Sequence, residues 1–385
     1  MTEHCYAIVA GGDINGLGVV RSLARSRIPV VVLDDDLTRP TMRTRFGRKH
    51  RVTSLEGDAF VTELGSLRRQ FKTDPVLFLT QEKSVVTVSE AYAAVSRDFR
   101  IAMPGASIMR TLMDKASFQD AAEKLGFLVP RAVTLERDAD LAGARSLRYP
   151  CVMKPVVKSA AYDRHFKKAY KLEGFAEVAE LFMKVKKYCS LIVQEWVEGD
   201  DGNIFFCLQY CGRDHQPVAS FVGRKLRSWP PRVGGTASCM AAVEEAPELE
   251  RATTAFFSGI GFIGMGSMEY KRDARSGRYY MIEPTVGRTD FQEEVATLNG
   301  INIPAAAYRY EVGERVTQPA RAQTPTAWTV SRLERWAREA QPECGLDIPR
   351  GIRRCDAVQR GNDPLPWLVT IAQRLKARVT TWRGR

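Results

Sequence analysis

The first hundred residues alternate between short apolar runs and amphipathic helical patterns, and this alternation constrains the fold most. Runs with the length and composition of buried strands occur at Tyr6–Ala10, Val30–Leu33 and Pro75–Leu79. Helical patterns occur at Leu17–Ser26, Phe60–Phe71 and Ser84–Ser96. Because strands that alternate with helices form parallel sheets through right-handed crossovers, we expect a Rossmann-like α/β domain over residues 1–110.

A glycine-rich loop follows the first of these strands and is typical of nucleotide-binding domains. Its glycines are Gly11, Gly12, Gly16 and Gly18, and Asp34–Asp36 closes the second strand about 20 residues on. This spacing suggests an NAD(P)-dependent oxidoreductase as one hypothesis. No complete GxGxxG can be read, however, and no catalytic Tyr–Lys or His–Asp pattern stands out. We therefore keep the oxidoreductase as an alternative.

The composition is that of a globular protein with more than one packed unit. The chain has 385 residues, of which 44% are hydrophobic and 26% charged. No run approaches the roughly 20 apolar residues of a membrane span, and the N-terminus has no secretion signal. The eight cysteines are scattered without CxxC pairs, which argues against a zinc site or a disulfide framework. We expect reduced thiols in a cytoplasmic protein.

The net charge of +12 is concentrated near the C-terminus. Residues 315–385 contain 14 Lys/Arg and 6 Asp/Glu, and the main body has no basic stripe interleaved with aromatic residues. This distribution argues against a nucleic-acid partner. Amphipathic helices are predicted at Trp328–Ala340 and Leu365–Trp382, after a linker at Gln318–Thr326. The basic tail is compatible with weak membrane-surface or protein contact, and a homodimer is left open.

Lysines and a hinge-like segment in the middle of the chain suggest a purine nucleotide site. Lys154 ends the apolar strand in "YPCVMKP", and Lys115 opens a helix in "MDK". A buried lysine needs an anion to offset its desolvation. The segment "VQEWVEGDD" combines an apolar strand edge for a base with acids that suit ribose hydroxyls.

Two strand carboxylates further along suggest a magnesium site. Glu269 in "GSMEYKRD" and Glu283 in "YYMIEPT" are joined by "RDARSG", which has the composition of a hairpin turn. Adjacent antiparallel strands would place both carboxylates on one face, where an acidic pair without a counter-charge is destabilising. Mg²⁺ prefers such oxygen ligands, together with phosphate oxygens.

The order of these motifs resembles the ATP-grasp superfamily, specifically its carboxylate–amine ligase branch. The resemblance covers residues 1–312 and includes "GRKLRSWPP", "VGRTD" and the closing segment "LNGINIP". It implies α/β and α+β architecture, with a parallel-sheet pre-ATP-grasp domain at 1–110 and a two-lobed ATP-grasp domain at 111–312. Residues 113–197 would form the small lobe and hinge, and residues 198–312 the large lobe. Residues 313–385 would add a linker and basic amphipathic helices.

The resemblance also implies ATP and Mg²⁺ as cofactors and a role for each motif. The ATP-binding residues would be Lys115, Lys154, Gln194, Glu195, Trp196, Val197, Glu198 and Asp201. Metal ligation would fall to Glu269 and Glu283, and phosphate transfer to Arg288, Arg224 and Lys225. The implied reaction joins a carboxylate to an amine, both amino-acid-like small molecules, through an acyl phosphate, with release of ADP and phosphate.

Two departures from the family pattern, and two loops, complete the sequence-based picture. Thr285 stands where the family usually has Asn, so a hydroxyl would replace an amide oxygen as a metal ligand. The phosphate loop after Lys154 lacks glycine, which leaves cations such as Lys158, Lys167 and Lys168 to contact phosphate. Both departures suggest, as another alternative, a catalytically weak nucleotide-binding protein. Substrate contacts are predicted at Asp13, Asn15, Arg227, Arg232 and Gly234.

Overall fold

The structure is a computed structural model that describes residues 5–156, 162, 164–167, 169–288, 290–317 and 325–372. Its N-terminal unit contains β1 (Ala7–Ala10), α1 (Ile14–Arg25), β2 (Val30–Asp34), β3 (Arg48–Arg51), α2 (Gly57–Arg68), β4 (Val76–Leu79), α3 (Glu82–Glu90) and α4 (Tyr92–Asp98). The four strands form a parallel sheet in the order β3-β2-β1-β4. The parallel sheet predicted from the alternating pattern is confirmed.

Burial on both faces explains why β1, β2 and β4 are apolar throughout. Every residue of these strands is buried, and helices cover the sheet as parallel sheets require. Gly16 lets α1 pack directly on the loop after β1, because a Cβ at this position would lie 1.9 Å from the carbonyl oxygen of Gly11. The glycine loop therefore allows α1 to pack closely against the end of β1.

A second unit follows, built on a smaller antiparallel sheet. It contains α5 (Ala106–Met113), α6 (Lys115–Lys124), β5 (Ala132–Leu135), α7 (Leu141–Ala144), β6 (Cys151–Pro155), β7 (Tyr170–Leu172), α8 (Phe175–Val185) and β8 (Leu191–Glu195). The strands run in the order β5-β8-β6-β7. Phe182 and Val193 anchor a separate core under this sheet.

The third unit contains the largest sheet. Its elements are β9 (Ile204–Cys211), β10 (Pro217–Trp229), β11 (Gly235–Ala241), α9 (Ala246–Gly259), β12 (Gly264–Arg272), β13 (Tyr279–Val286), α10 (Glu294–Leu298), α11 (Ile303–Glu311), β14 (Thr326–Thr329), α12 (Ser331–Ala340) and β15 (Arg353–Asp356). Seven strands lie in the order β13-β12-β9-β10-β11-β14-β15, antiparallel except for the β14–β15 pair. The hairpin predicted between the two glutamates is the β12–β13 pair.

The C-terminal segment contributes strands to this sheet, which the sequence-based picture of a linker and helices did not include. β14 pairs with β11, so Trp328, the predicted start of a helix, lies in a strand and is 1% exposed. The helix begins three residues later, at Ser331. The second predicted helix is present over residues 365–372, and its remainder lies outside the described residues.

The N-terminal unit packs on the third unit through α1. Val19, Val20 and Leu23 share one core with Ala296 and Ile303. The guanidinium group of Arg21 is buried there and binds Asp363 at 2.9 Å, which ties the C-terminal segment to α1. Among the described helices, none has the length and apolar character that a bilayer crossing requires.

Candidate active site

A cleft of about 580 Å³ lies between the small antiparallel sheet and the seven-stranded sheet. Both sheets supply side chains to it, and most of the residues predicted to bind ATP and metal lie along its walls. The predicted residues that line it are Lys115, Lys154, Gln194, Glu195, Trp196, Val197, Lys225, Arg232, Gly234, Glu269 and Glu283. The structure therefore brings together motifs that are up to 168 residues apart in the sequence.

The hinge residues Gln194–Val197 line the cleft, and Trp196 contributes an indole ring to its wall. The side chain of Glu195 is buried and accepts hydrogen bonds from the Arg148 guanidinium at 2.8 and 3.0 Å, so this carboxylate fastens the end of β8. Trp196 donates its backbone N–H to the Pro150 carbonyl oxygen at 3.0 Å. The ammonium groups of Lys171 and Lys271 lie 5.3 and 5.7 Å from the Trp196 ring centroid. These contacts hold the apolar wall that a base would stack on.

Two lysines, one near the end of a strand and one at the start of a helix, place positive charge in the cleft. Lys154 lies near the end of β6, and Lys115 is the first residue of α6, whose N-cap Asp114 accepts the Ser117 N–H at 2.8 Å. The Lys115 ammonium group donates to the Val156 carbonyl oxygen at 3.1 Å and so lies beside the segment that follows Lys154. Two lysines at one end of a cleft suit an anionic phosphate chain.

The two predicted metal-binding glutamates lie opposite each other. Glu269 and Glu283 are direct cross-strand partners and both line the cleft, as the hairpin prediction required. The buried Lys225 ammonium group lies 2.6 Å from Glu269. Burial alone would lower the pKa of Lys225, but the charges of Glu269, Asp290 and Asp201 outweigh it and raise this pKa. The lysine is therefore a permanent cation beside the acidic pair.

The donor set fits magnesium. Glu269 and Glu283 supply hard oxygen atoms, and Thr285, one step further along the same face of β13, lines an adjoining pocket of about 170 Å³ with Glu283. The described residues contain no group of three His, Cys, Asp or Glu side chains able to hold a metal alone. Mg²⁺ commonly takes one or two carboxylates and completes its shell with water and substrate phosphates.

A further pocket of about 480 Å³ opens beside the glycine loop of the N-terminal unit. Asp13, Asn15, Lys83 and Arg288 line it, and Arg288 also lines the pocket that contains Thr285. The carboxylate of Asp13 is 44% exposed and binds Arg39 at 2.8 Å. Arg288 therefore lies between the metal-ligand pair and the predicted substrate residues of the N-terminal unit.

The glycine loop itself is occupied by the chain's own groups. Asp34 is fully buried and accepts the Gly12 N–H at 2.5 Å and the Asp36 N–H at 2.8 Å. Burial raises the pKa of Asp34 to about 6. The Thr41 N–H donates to the Gly12 carbonyl oxygen at 3.0 Å. The carboxylate and amide that a dinucleotide would need are thus already paired, which disfavours the oxidoreductase hypothesis.

Four predicted residues do not line the cleft, and their side chains bind other parts of the chain. Asp201 is fully buried and accepts the backbone N–H groups of Ser228 and Arg232, so it fixes the β10–β11 connection. Arg224 donates to the Gly202 carbonyl oxygen. The other two are Arg227, 3% exposed and bound to carbonyl groups of the C-terminal segment, and Glu198, paired with Arg275 at 3.2 Å.

Sequence reasoning missed Lys271, which lines the cleft beside Glu269. Its ammonium group donates to the carbonyl oxygens of Gly199 and Asp200, both at 2.9 Å. Burial lowers the pKa of Lys271 to about 8. The alternation of strand β12 was the available signal, because Glu269 and Lys271 are two residues apart and reach the same cleft. Of the predicted phosphate-loop lysines, Lys158 and Lys168 lie outside the described residues.

Comparisons with known proteins show which proteins the chain resembles in sequence and in fold. No family profile matches the chain. The chain is 24% identical over 322 residues to a D-aspartate ligase from Enterococcus faecium, covering 78% of this chain and 75% of the relative. Its fold is similar to that of the biotin carboxylase domain of Hydrogenobacter thermophilus 2-oxoglutarate carboxylase, solved with MgADP and bicarbonate, at TM-score 0.64 and 14% identity over 85% of this chain and 74% of that one. It is also similar to N5-carboxyaminoimidazole synthetase from Staphylococcus aureus, solved with ADP, at TM-score 0.65 and 13% identity over 85% and 83%.

Proposed function

We propose that the chain is an ATP- and Mg²⁺-dependent ligase of the ATP-grasp superfamily that joins a carboxylate to an amine. One observation carries the proposal: a single cleft is lined by the hinge, by Lys115 and Lys154, and by the cross-strand pair Glu269 and Glu283. The relative named D-aspartate ligase supports the ligase assignment. The free thiols of all eight cysteines suit a reducing compartment, and we place the activity in the cytoplasm.

Each wall of the cleft has a task in this proposal. The hinge backbone and the Trp196 ring hold the base, while Lys115 and Lys154 hold the phosphate chain by charge-assisted hydrogen bonds. Glu269 and Glu283 are the carboxylates that would hold Mg²⁺. When bound, ATP supplies the phosphoryl group and Mg²⁺ neutralises charge on the phosphate oxygens.

The pocket beside the glycine loop is proposed to bind an amino-acid-like carboxylate. Arg288 and Lys83 supply positive charge for a carboxylate, and Asp13 supplies negative charge for an ammonium group. Arg288 is the residue that would present the carboxylate oxygen to the cleft, because it lines both neighbouring pockets. A substrate with charges of both signs fits this lining better than an apolar one.

The proposed reaction has two steps. A substrate carboxylate oxygen accepts the terminal phosphoryl group, which gives an acyl phosphate and ADP. An amine then attacks the acyl carbon, the C–N bond forms, and phosphate leaves with the former carboxylate oxygen. Lys225 and Lys154 in the cleft and Arg288 in the adjoining pocket would stabilise negative charge during both steps.

The test is ADP release with Mg²⁺, ATP and a panel of amino acids as carboxylates and amines. ADP release that requires both substrates supports the ligase, and Lys154→Ala and Glu283→Ala are expected to cripple turnover while leaving the chain folded. Arg278→Ala, at the exposed turn of the β12–β13 hairpin, is the matched control for loss of a surface cation. Nucleotide binding without ADP formation under any combination would instead indicate a nucleotide-binding protein.

A further inference from the structure

Thr285 occupies the place of the family's metal-binding asparagine, and its hydroxyl group has an unexpected partner. Thr285 Oγ1 donates to Asp290 Oδ1 at 2.6 Å. Ser267, which lies directly opposite Thr285 on β12, donates its own hydroxyl to Asp290 Oδ2 at 2.8 Å. One carboxylate therefore bridges a cross-strand pair of hydroxyl groups, next to the cross-strand pair of Glu269 and Glu283.

A glycine with positive φ follows β13, shortly before Asp290. Gly287 has φ +70°, a conformation that side-chain-bearing residues rarely adopt, and a Cβ there would lie 2.7 Å from Val85 Cγ1. Asp290 meets the face of the hairpin from which Thr285 projects. Asp290 is held by hydroxyl donors from both strands, so its place depends on the hairpin and not on the turn alone.

The hydrogen bond has a chemical consequence for Thr285. A threonine hydroxyl has one proton and two lone pairs, and a free hydroxyl rotor can present either. With its proton committed to a carboxylate in a short, charge-assisted bond, Thr285 Oγ1 can act only as an acceptor toward the pocket it shares with Glu283. An asparagine amide oxygen is likewise an acceptor only.

We propose that Asp290 is a positioning residue that makes Thr285 an oxygen ligand equivalent to the family's asparagine. The inference rests on the proposed Mg²⁺- and ATP-dependent function. Asp290 fixes the rotor of Thr285 and increases electron density on its oxygen, as partners of metal-ligating side chains do elsewhere. The threonine substitution is then compensated within the chain, and it does not by itself mark a weakened enzyme.

The experiment measures binding of Mn²⁺, as a spectroscopic probe for Mg²⁺, to the protein with ADP, by the loss of the free-ion paramagnetic resonance signal. Asp290→Ala is expected to weaken Mn²⁺ binding by about 10–100-fold, the usual effect of removing a partner of a metal ligand. Thr285→Val keeps the shape of the side chain but lacks its oxygen. It is expected to weaken Mn²⁺ binding by the same factor while leaving Asp290 in place. Thr285→Asn combined with Asp290→Ala should restore binding toward that of the unmodified protein.

Asp273 provides the matched control, because it accepts the Ser276 hydroxyl at 2.6 Å on the exposed turn of the same hairpin, outside the cleft. Asp273→Asn should bind Mn²⁺ as the unmodified protein does. Unchanged binding in both Asp290→Ala and Thr285→Val would overturn the positioning role while leaving the ligase proposal standing. Absence of Mn²⁺ binding by the unmodified protein with ADP would overturn the proposed function, and with it this inference.

Discussion

Glu293 is a fully buried carboxyl group where α10 meets α1, and one of its oxygens has no hydrogen-bond partner among the described residues. Its other oxygen accepts a long bond from Ser22 at 3.5 Å. Burial, with the neighbouring charge of Glu294, raises the pKa of Glu293 to about 8. The group is therefore a neutral acid at pH 7, and the packing of the N-terminal unit depends on its staying so.

Glu293→Gln is expected to make folding less sensitive to pH. The folded carboxyl keeps its proton up to about pH 8, whereas the unfolded one loses it near the ordinary glutamate pKa of 4.5. The folded state thus binds more protons between these values, and its stability falls as the pH rises through this window. Between about pH 5 and about pH 8.5, the free energy of unfolding of the unmodified protein should fall by roughly 4 kcal/mol more than that of the variant.

Urea unfolding at both pH values measures this difference. Glu343→Gln, at an exposed carboxyl group of the C-terminal segment, serves as the control and should show the pH dependence of the unmodified protein. The same pH dependence in Glu293→Gln as in the unmodified protein would show that Glu293 is not held neutral by the fold.

At the scale of elements, the C-terminal segment supports one wall of the cleft. Arg227 of β10 donates to the Cys344 and Pro342 carbonyl oxygens at 2.6 and 3.2 Å, and the Leu346 N–H donates to the Leu226 carbonyl oxygen at 2.8 Å. Gln341 accepts from Arg232, which lines the cleft. The segment after α12 therefore fixes the β10–β11 connection that carries Arg232.

Gly345 is the residue that allows this close approach. It has φ +100°, and an added Cβ would lie 2.2 Å from the Leu226 carbonyl oxygen. Gly345→Ala should lower the free energy of unfolding by about 2–4 kcal/mol, through backbone strain together with the clash. Gly351→Ala is the matched control, since Gly351 has φ +84° with no atom within 4 Å of its added Cβ; it should cost about 1 kcal/mol.

Denaturant unfolding of both variants measures these costs. Equal losses for Gly345→Ala and Gly351→Ala would mean that only backbone conformation matters at these positions. The segment would then not depend on tight contact with β10.

The elements that sequence could predict are those with local signals. Alternating apolar runs indicated the parallel sheet, and two short apolar strands around a turn indicated the β12–β13 hairpin with its opposed glutamates. β14 and β15 were missed because their pairing partners are not adjacent in sequence, and the helical periodicity after Trp328 favoured a helix. β11 pairs with β10 directly before it, and it was missed because the proline- and glycine-rich segment between them was interpreted as a loop. The structural roles of Asp201 and Arg227 were missed for the same reason, since their partners lie 27–31 and 115–120 residues away.

At the scale of the whole molecule, the cleft and the pocket beside the glycine loop are separate spaces that approach each other through the Arg288 region. The cleft lies between the second and third units, and the pocket is lined largely by the N-terminal unit. In the proposed function, the nucleotide and the carboxylate substrate bind to different parts of the chain. A substitution in the pocket should therefore change the KM for the carboxylate substrate, and a substitution in the cleft should change the KM for ATP.

Asp13→Asn is expected to raise the KM for the carboxylate substrate more than the KM for ATP, because Asp13 lines the pocket and not the cleft. Steady-state kinetics with each substrate varied in turn provide the measurement. Asp36→Asn is the control, since Asp36 also contacts Arg39, at 3.4 Å, without lining the pocket. A larger change in the KM for ATP would favour a nucleotide at the glycine loop.

The most direct measurement of the central claim is calorimetric titration of a non-hydrolysable ATP analogue with Mg²⁺ into the unmodified protein and into Lys154→Met. The cleft geometry predicts saturable binding to the unmodified protein. It predicts binding weaker by about tenfold or more in the variant, because a charge-assisted hydrogen bond to phosphate is lost. No saturable binding at millimolar nucleotide, or equal affinity in both proteins, would contradict the assignment of this cleft to ATP.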